Sequence, residues 1–472
     1  MNKTRLIEIL RTFNKKEVRD FKKWLASPLH NQRDDVRELF NYLSTSNRLE
    51  KDTALQKEKI YKKIYKTDAT YNDAKMRQLT HHTLVQSERF LIYNRLQNSS
   101  LESSLLLAEE LNERRLEREF TSAVKEVKSL QVERGLKDMV YYKNNYTIFS
   151  EEYAFLSERS KVFPYEKLQE VSNALDIYFL CAKLQLSCSM LFTQSLLKVD
   201  FDYGGLESIL ELVESKRFYE IPAIGIFYYT IMSQKHQDNE EYFFKLKDLL
   251  ISSSEHFPQS DLRTIYTAAI NYCVGKINTG NKKYLRESFD LQRRGFDRNI
   301  LLENNNLTKF TYINVVTGGL VLKEFEWIEN FINKYKDFLK ESERESVYNY
   351  CMGSFHYVKA NYEKSREYLL KSNSQDVLFN LIGKNVLLKV YYHLQDFESV
   401  DHLIESMSKY LSRKEIVGYH RDIYKNTLSC FKKLISVNPF DRKDREKLKE
   451  EIQNTNPIAM KAWLIEQVDT MG

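Results

Sequence analysis

Residues that interrupt an α-helix are unusually scarce in this chain. Its 472 residues include only 13 glycines and 6 prolines, and no glycine occurs before Gly135. Average proteins contain about 7% glycine and about 5% proline. Leu, Lys, Glu and Gln, which lose little rotamer freedom in a helical turn, are abundant instead. No segment shows the sustained alternation of a strand, so the sequence predicts an all-α protein.

The length and the distribution of charge predict two parts. A single compact core stops growing near roughly 250–300 residues, well short of this chain. Residues 1–100 contain 21 Lys and Arg against 12 Asp and Glu, a balance of +9, whereas the rest of the chain has a balance of −3. We therefore predict a basic N-terminal helical domain over residues 1–98 and a domain of helical hairpins over residues 99–472.

Cysteine usage and hydropathy predict where the protein resides. The five cysteines are scattered along the chain without a close pair, a pattern typical of buried thiols in a reducing compartment. The N-terminal stretch has no signal-peptide pattern. The uncharged run from Ile221 to Gln234 has 14 residues, and a bilayer span needs roughly 18. These features predict a cytoplasmic protein that does not associate with a membrane.

A hairpin pattern recurs in the second half of the chain. At Phe325, Tyr362 and Phe397, an apolar helix end is followed by a short polar turn, the aromatic residue and an acidic residue that opens a second helix. These aromatics are 37 and 35 residues apart, and weaker echoes at Tyr242 and Tyr284 extend the series upstream. A repeat of this length corresponds to one hairpin per unit, which buries its apolar side only against its neighbours.

This repeat resembles the tetratricopeptide repeat (TPR) family over about residues 220–412. In that family a small residue lets the two helices of a hairpin approach, and an aromatic fills the wedge between them. The matching positions are Gly353, Tyr362, Ser365 and Leu369 in the clearest unit and Tyr391, Phe397, Ile404 and Met407 in the next. The chain departs from the family at Gly319, where an aromatic is expected, and in repeats longer than 34 residues. The resemblance implies a solenoid of TPR-like hairpins.

The resemblance also implies a groove lined by the first helix of each hairpin. The residues that it places there are Tyr350, Ser354 and Tyr357 in one unit and Asn385, Lys389 and Tyr392 in the next. Rigid aromatic side chains and a lysine suit an extended or helical peptide, because they provide contact area at low entropic cost. The alternative interpretation is that Tyr357 and Tyr392 pack against the adjacent hairpin.

One basic stripe in the N-terminal region suggests a different partner. Lys75, His82 and Arg89 are seven residues apart on a predicted helix, with Arg77 nearby. The segment distantly resembles the helical part of winged-helix transcription regulators, whose recognition helix contacts phosphates in the major groove. Against this hypothesis, Glu88 interrupts the stripe and no strand pair for a wing follows. The alternative is an ordinary solvated helix face.

Patterns of catalysis or metal binding are missing from the sequence. The Gly275-Lys276 and Gly383-Lys384 pairs lack the upstream glycine and the following hydroxyl residue of a phosphate loop. No histidines or cysteines have a metal-ligand spacing. We therefore predict no enzyme, no catalytic residue, no metal and no cofactor. The predicted function is a protein- or peptide-binding adaptor, and the alternative is a transcriptional regulator with a DNA-binding N-terminal domain and a TPR-like sensing or dimerisation domain. The oligomeric state is open.

Overall fold

The computed structural model confirms that the protein is all-α. It describes residues 1–65, 70–159, 163–302, 306–374, 376–413 and 418–471. These residues form 23 α-helices and contain no strand. The only strand-like feature among them is one pair of residues in β-bridge geometry, Leu307 and Leu339, where the Leu307 N–H donates to the Phe338 carbonyl at 2.8 Å.

The chain divides into two compact units, residues 1–179 and residues 180–472. The helices of the first unit are α1 (Arg5–Arg11), α2 (Lys15–Ala26), α3 (Asp34–Leu43), α4 (Lys57–Tyr65), α5 (Asp73–Asn98), α6 (Ser100–Glu113), α7 (Glu117–Arg134) and α8 (Met139–Arg159). The boundary between the units falls within α9 (Tyr165–Leu197). The domain border that the sequence places after residue 98 coincides with the end of α5 and stays a prediction.

The start of α2 in the first unit is specified by its local sequence. The Asn14 side chain accepts a hydrogen bond from the Glu17 N–H at 3.0 Å, and the Glu17 carboxylate accepts one from the Asn14 N–H at 2.9 Å. This reciprocal capping box satisfies two donors that a helix start leaves unpaired. Behind it, Phe21 of α2, Phe40 of α3 and Phe90 of α5 meet in one buried aromatic cluster.

The second unit consists mainly of helices that pack against their neighbours in the chain. They are α10 (Leu206–Ser215), α11 (Pro222–Lys235), α12 (Glu240–Ser252), α13 (Gln259–Asn278), α14 (Lys283–Asp297), α15 (Lys309–Val321), α16 (Phe325–Tyr335), α17 (Glu341–Val358), α18 (Tyr362–Lys371), α19 (Val377–His393), α20 (Phe397–Arg413), α21 (Gly418–Ser436), α22 (Arg442–Asn454) and α23 (Lys461–Asp469). From α11 to α20, consecutive helices pack against each other as five pairs. The second helix of each pair also packs against the first helix of the next pair. The aromatics Phe325, Tyr362 and Phe397 are the first residues of α16, α18 and α20.

Four of these pairs close their turn in the same way. After the first helix, one residue adopts a left-handed conformation, and the next residue donates its N–H to a carbonyl five positions earlier, as in a Schellman motif. The left-handed residues are Gly280, Lys323, Ala360 and Gln395, and the hydrogen bonds are Asn281 to Lys276, Glu324 to Gly319, Asn361 to His356 and Asp396 to Tyr391, all between 2.9 and 3.0 Å. Only the first of the four left-handed residues is a glycine, so the other three carry a Cβ in a conformation that costs roughly 1–2 kcal/mol.

Glycines mark the places where paired helices approach most closely. A Cβ at Gly353 of α17 would lie 2.6 Å from Leu369 Cγ of α18, and the Ser365 hydroxyl donates to the Gly353 carbonyl at 2.7 Å. At Gly319 of α15, a Cβ would overlap the Ile328 side chain of α16. Ile328 therefore occupies the space that a side chain at position 319 would need.

The cysteines and the apolar helix α9 bear on location. All five cysteines lie among the described residues, are buried and form no disulfide. Within the described residues one segment, Tyr165–Gln194 of α9, is long and apolar enough to cross a membrane by length and composition, with a mean hydropathy of 1.3. The length of uncharged runs does not identify this segment, because Asp176 and Lys183 interrupt its apolar sequence. Since core helices of soluble proteins also reach this hydropathy, the segment is weak evidence for a membrane span.

Candidate binding cleft

An open cleft of about 620 Å³ lies within the second unit, between α13 and α15. α13 packs against α11 on its other side, and α15 packs against α17. The helix α14 contacts both α13 and α15 and supplies the floor of the cleft. The cleft therefore lies where α14, the second helix of one pair, packs against α15, the first helix of the next, and its two walls are the first helices of both pairs.

The α13 wall is one face of a helix. Its lining residues recur at spacings of three and four, which places them on a single side. They are Arg263, Thr267, Ile270, Asn271, Val274 and Ile277. The opposite side of the same helix is buried, with Ile265, Tyr266 and Ala269 fully inaccessible. α13 is thus amphipathic: one face is buried in the apolar core, and the opposite face forms a cleft wall of mixed polarity.

The α15 wall begins at its capping residue. The Thr308 hydroxyl accepts a hydrogen bond from the Thr311 N–H at 3.2 Å and so starts the helix. Thr311, Asn314 and Thr317 then follow at spacings of three and line the cleft. Gly318 lines it too, and a Cβ there would meet only Leu285 Cδ1, at 3.9 Å.

The floor from α14 combines apolar and polar groups. Phe289 and Ser288 are buried, while Leu285 and Gln292 are half-buried. The side-chain amides of Gln292, Asn271 on α13 and Asn314 on α15 make no hydrogen bond to any described residue. Each carries both donors and an acceptor, so the cleft presents three amides without a hydrogen-bond partner in the described part of the chain, beside the apolar Leu285 and Phe289.

The charge of the cleft is low. Among the described lining residues Arg263 is the one charged side chain, and its Nε donates to the Ile300 carbonyl at 3.3 Å. These described residues include no Asp, Glu, His, Cys or Lys, and within the described part of the chain no cluster of such side chains is placed to hold a metal ion. They can form hydrogen bonds and apolar contacts, but they include no pair of titratable groups for acid–base chemistry.

The structure brings the six predicted groove residues onto one side of α17 and α19. Tyr350 is buried against Phe379, with ring centroids 5.3 Å apart, and its burial raises the pKa of its hydroxyl to about 12. Asn385 is also buried, and its Oδ1 has no hydrogen-bond partner among the described residues. Ser354 and Tyr357 are half-buried.

The C-terminal helix α23 occupies this side of the second unit. The Trp463 ring lies 5.4 Å from Tyr392, and Lys389 Nζ lies 5.5 Å from the Trp463 ring centroid. Burial lowers the pKa of Lys389. The Tyr357 hydroxyl lies 3.4 Å from His393 Nε2. A peptide on these residues would have to displace Trp463, and binding there stays a prediction.

The predicted nucleic-acid contacts lie along α5 in the first unit. Lys75 Nζ lies 3.7 Å above the Tyr65 ring, and Arg77 forms an ion pair with Asp73 at 2.9 Å. His82 is half-buried and Arg89 is exposed. Two of the four side chains are therefore already engaged within the unit, and no strand pair follows α5 among the described residues.

Sequence reasoning missed the cleft between α13 and α15. Groove residues were predicted only in the units of Tyr362 and Phe397, so α13 and α15, the helices before Tyr284 and Phe325, received none. A usable signal was present, because Thr308, Thr311, Asn314 and Thr317 place small polar groups every third residue in an otherwise apolar segment. Such a polar stripe on an apolar helix predicts a face that is neither core nor ordinary surface.

Comparison with protein-family models, with curated proteins and with solved structures gives no match to this chain. The functional argument therefore depends on the chemistry and geometry of the chain's own side chains.

Proposed function

We propose that this protein is a non-enzymatic adaptor that binds an extended segment of a partner protein in the cleft between α13 and α15. In this proposal the second unit is a solenoid of TPR-like helical hairpins, and its first helices form the binding surface. The single observation that carries the proposal is the set of three unpaired amides, from Asn271, Gln292 and Asn314, around one open cleft.

The amides suit a peptide because an extended backbone presents one N–H and one carbonyl at every residue. A side-chain amide can donate to one and accept from the other. The apolar groups of the cleft, among them Ile270, Val274 and Leu285, would take up the alternate side chains of the same peptide. Low charge in the lining favours a segment whose bound residues are uncharged.

The size of the cleft also suits a peptide. From Arg263 to Ile277 the α13 wall extends for about 21 Å, at roughly 1.5 Å per helical residue. An extended chain rises about 3.3 Å per residue, so the wall accommodates roughly six residues. This is the length of a short linear motif rather than of a folded domain.

The repeated turns and glycine contacts support the solenoid part of the proposal. The same Schellman turn closes four hairpins, and paired helices approach at Gly319 and Gly353. Such units bury their apolar sides only by stacking, which leaves first-helix surfaces available to a ligand. Five buried cysteines without a disulfide favour a reducing compartment, and the cytoplasm is the proposed location.

The test is selection of ligands from a random decapeptide library by the full-length protein, followed by affinity measurement by fluorescence anisotropy. Replacing both Asn271 and Asn314 with Ala removes two neutral hydrogen bonds, each about 1 kcal/mol, so we expect roughly 10- to 30-fold weaker binding. Both residues are exposed, so the fold should persist, as circular dichroism would verify.

A steric variant sharpens the test. Gly318→Phe would place a ring in the cleft and should abolish binding of the selected peptides. Gly275→Phe is the matched control, because Gly275 lies on α13 outside the lining and a Cβ there meets nothing within 4 Å. Peptides that bind Gly318→Phe as tightly as the unmodified protein would refute the proposed site.

A further inference from the structure

A second pocket, of about 510 Å³, lies in the first unit between α2 and α5. Its wall contains four aromatic rings: Trp24 of α2, His30 from the segment that follows α2, and Phe90 and Tyr93 of α5. Phe90 is buried, so the other three rings form the accessible part of the wall. Trp24 and His30 stack with centroids 3.5 Å apart and planes 9° apart, and Tyr93 lies 5.1 Å from Trp24. None of these rings belongs to the proposed peptide cleft.

The aromatic wall is held in place by hydrogen bonds from behind. The Trp24 indole N–H donates to Gln86 Oε1 at 3.0 Å, and Gln86 Nε2 donates to the His30 carbonyl at 2.8 Å. Both Trp24 and His30 are consequently fixed relative to α5. Tyr93 is 45% exposed and Leu29, next to His30, is 85% exposed. The unit thus presents a prearranged apolar and aromatic surface to solvent, a common mark of an interaction site.

The rim of the same pocket is basic and polar. Lys16 and Lys23 line it, both are exposed, and neither forms an ion pair with a described residue. The one carboxylate in the lining belongs to Asp20, which pairs with Arg19 at 3.3 Å. The amides Asn94, Gln97 and Asn98 complete the rim. Asn94 donates to Glu17 Oε1 at 3.2 Å and Asn98 donates to the Asn94 carbonyl at 2.6 Å.

We propose that this pocket binds a nucleotide, with the base against the Tyr93, His30 and Trp24 rings and a phosphate at Lys16 or Lys23. Rings that offer a face to solvent stack nucleobases at about 1–3 kcal/mol per base irrespective of sequence. Lysines that no carboxylate neutralises attract phosphate. The balance of +9 over residues 1–100 adds a long-range attraction in the same direction.

The pocket differs from the basic stripe on α5 in both geometry and expected ligand. The stripe offers Arg77, already paired with Asp73, and one half-buried imidazole, His82, so it would contact a duplex mainly through phosphates. The α2–α5 pocket needs an unstacked base. A free nucleotide and a single strand share this chemistry, whereas a base pair within a duplex does not.

The experiment measures binding to the full-length protein by fluorescence anisotropy at low salt. The probes are fluorescein-labelled ten-residue oligouridylate, uridine monophosphate as competitor, a ten-base-pair DNA duplex, inorganic phosphate and a polyglutamate peptide. We expect the single strand to bind and the duplex, phosphate and peptide to compete at least tenfold more weakly. Competition by uridine monophosphate at micromolar concentration would identify a free nucleotide as the ligand, and weak competition would identify a strand.

Two matched pairs of variants test the two halves of the site. Tyr93→Ala should weaken binding by between about 5-fold and about 150-fold, while Tyr93→Phe, which keeps the ring, should bind nearly as the unmodified protein does. Lys16→Gln with Lys23→Gln should lower the slope of log affinity against log salt by about 0.7 if one of the two lysines contacts a phosphate and by about 1.4 if both do. Lys62→Gln with Lys63→Gln removes the same charge from exposed positions of α4 and should leave most of that slope intact.

Three results would overturn the proposal. The first is the absence of binding to either uridine ligand at low salt. The second is equal affinity for the duplex or for polyglutamate, which would show that the site recognises charge or an acidic peptide rather than a base. The third is a Tyr93→Ala variant that remains folded by circular dichroism and binds as tightly as Tyr93→Phe.

Discussion

Two adjacent glycines of α15 test how closely α15 and α16 pack when each is replaced with alanine in turn. Gly318 faces the open cleft, where a Cβ would meet only Leu285, at 3.9 Å. Gly319 faces α16, where a Cβ would overlap Ile328 and lie 2.7 Å from Phe289 Cε2. We predict that Gly318→Ala stabilises the protein and that Gly319→Ala does not.

The magnitudes follow from two terms. Alanine is favoured over glycine in a helix interior by roughly 0.8–1 kcal/mol, and this gain applies equally at both positions. Forcing an extra carbon into a filled core costs about 1–3 kcal/mol, and this cost applies only at Gly319. Because the first term cancels in the comparison, the free energies of unfolding of the two variants should differ by about 1–3 kcal/mol.

The assay is urea unfolding followed by tryptophan fluorescence. Trp327 of α16 lies 5.3 Å from Phe289, so it reports on this hairpin when the other two tryptophans, Trp24 and Trp463, are replaced with Phe. A local probe is needed because the two units can unfold separately. If the two alanine variants differ by less than about 0.5 kcal/mol, α15 and α16 do not approach at Gly319 as described, and the reasoning fails.

Other predictions concern the turn and the pH response of the second unit. Ala360→Gly should raise the free energy of unfolding by about 0.5–1 kcal/mol in urea titrations, because φ at Ala360 is +56° and glycine adopts this conformation without strain. As a control, the same change at Ala268, which lies within α13, should lower the free energy of unfolding by about 1 kcal/mol. Tyr362→Ala should cost about 1–3 kcal/mol in the same assay, since this half-buried ring stacks on His393 at 4.6 Å; a cost below about 0.5 kcal/mol would contradict the stacking. Burial, followed by the charge of Lys389, lowers the pKa of His393. The folded protein therefore favours the neutral imidazole, and its stability should fall as the pH drops below about 6.5, the usual pKa of histidine. Thermal unfolding at pH 7.5 and 5.5 should show a smaller drop for His393→Gln than for the unmodified protein, and an equal drop would refute the assignment.

Much of the secondary structure could be predicted because it depends on residues close in sequence. The capping box at Asn14 and Glu17, a pattern readable in the sequence, starts α2 at Lys15. The aromatics of the repeat mark the first residues of α16, α18 and α20. These signals are local, since a capping side chain bonds to amides two or three residues away and helical periodicity is read within a few turns.

Other breaks have no such signal. Residues 101–133 contain no glycine or proline and have a composition typical of continuous helix, but the chain turns between α6 and α7 at Arg115, whose φ is +61°. No glycine or proline marks this turn. A non-glycine residue adopts the left-handed conformation only where surrounding contacts offset its cost, and here the packing of α6 against α7 provides those contacts.

The candidate sites also combine features that the sequence determines with features that only the tertiary structure determines. The polar stripe of α15 and the +9 charge balance of residues 1–100 are properties of the sequence alone. Only the tertiary structure decided that the surface between α13 and α15 stays open. It also decided that Trp463 covers the surface of α17 and α19. The physical reason is that helix formation depends on contacts within a few residues, whereas exposure of a helix face depends on which distant segment packs there. Trp463 of α23, which covers one groove, is about 70 residues away in sequence from Tyr392.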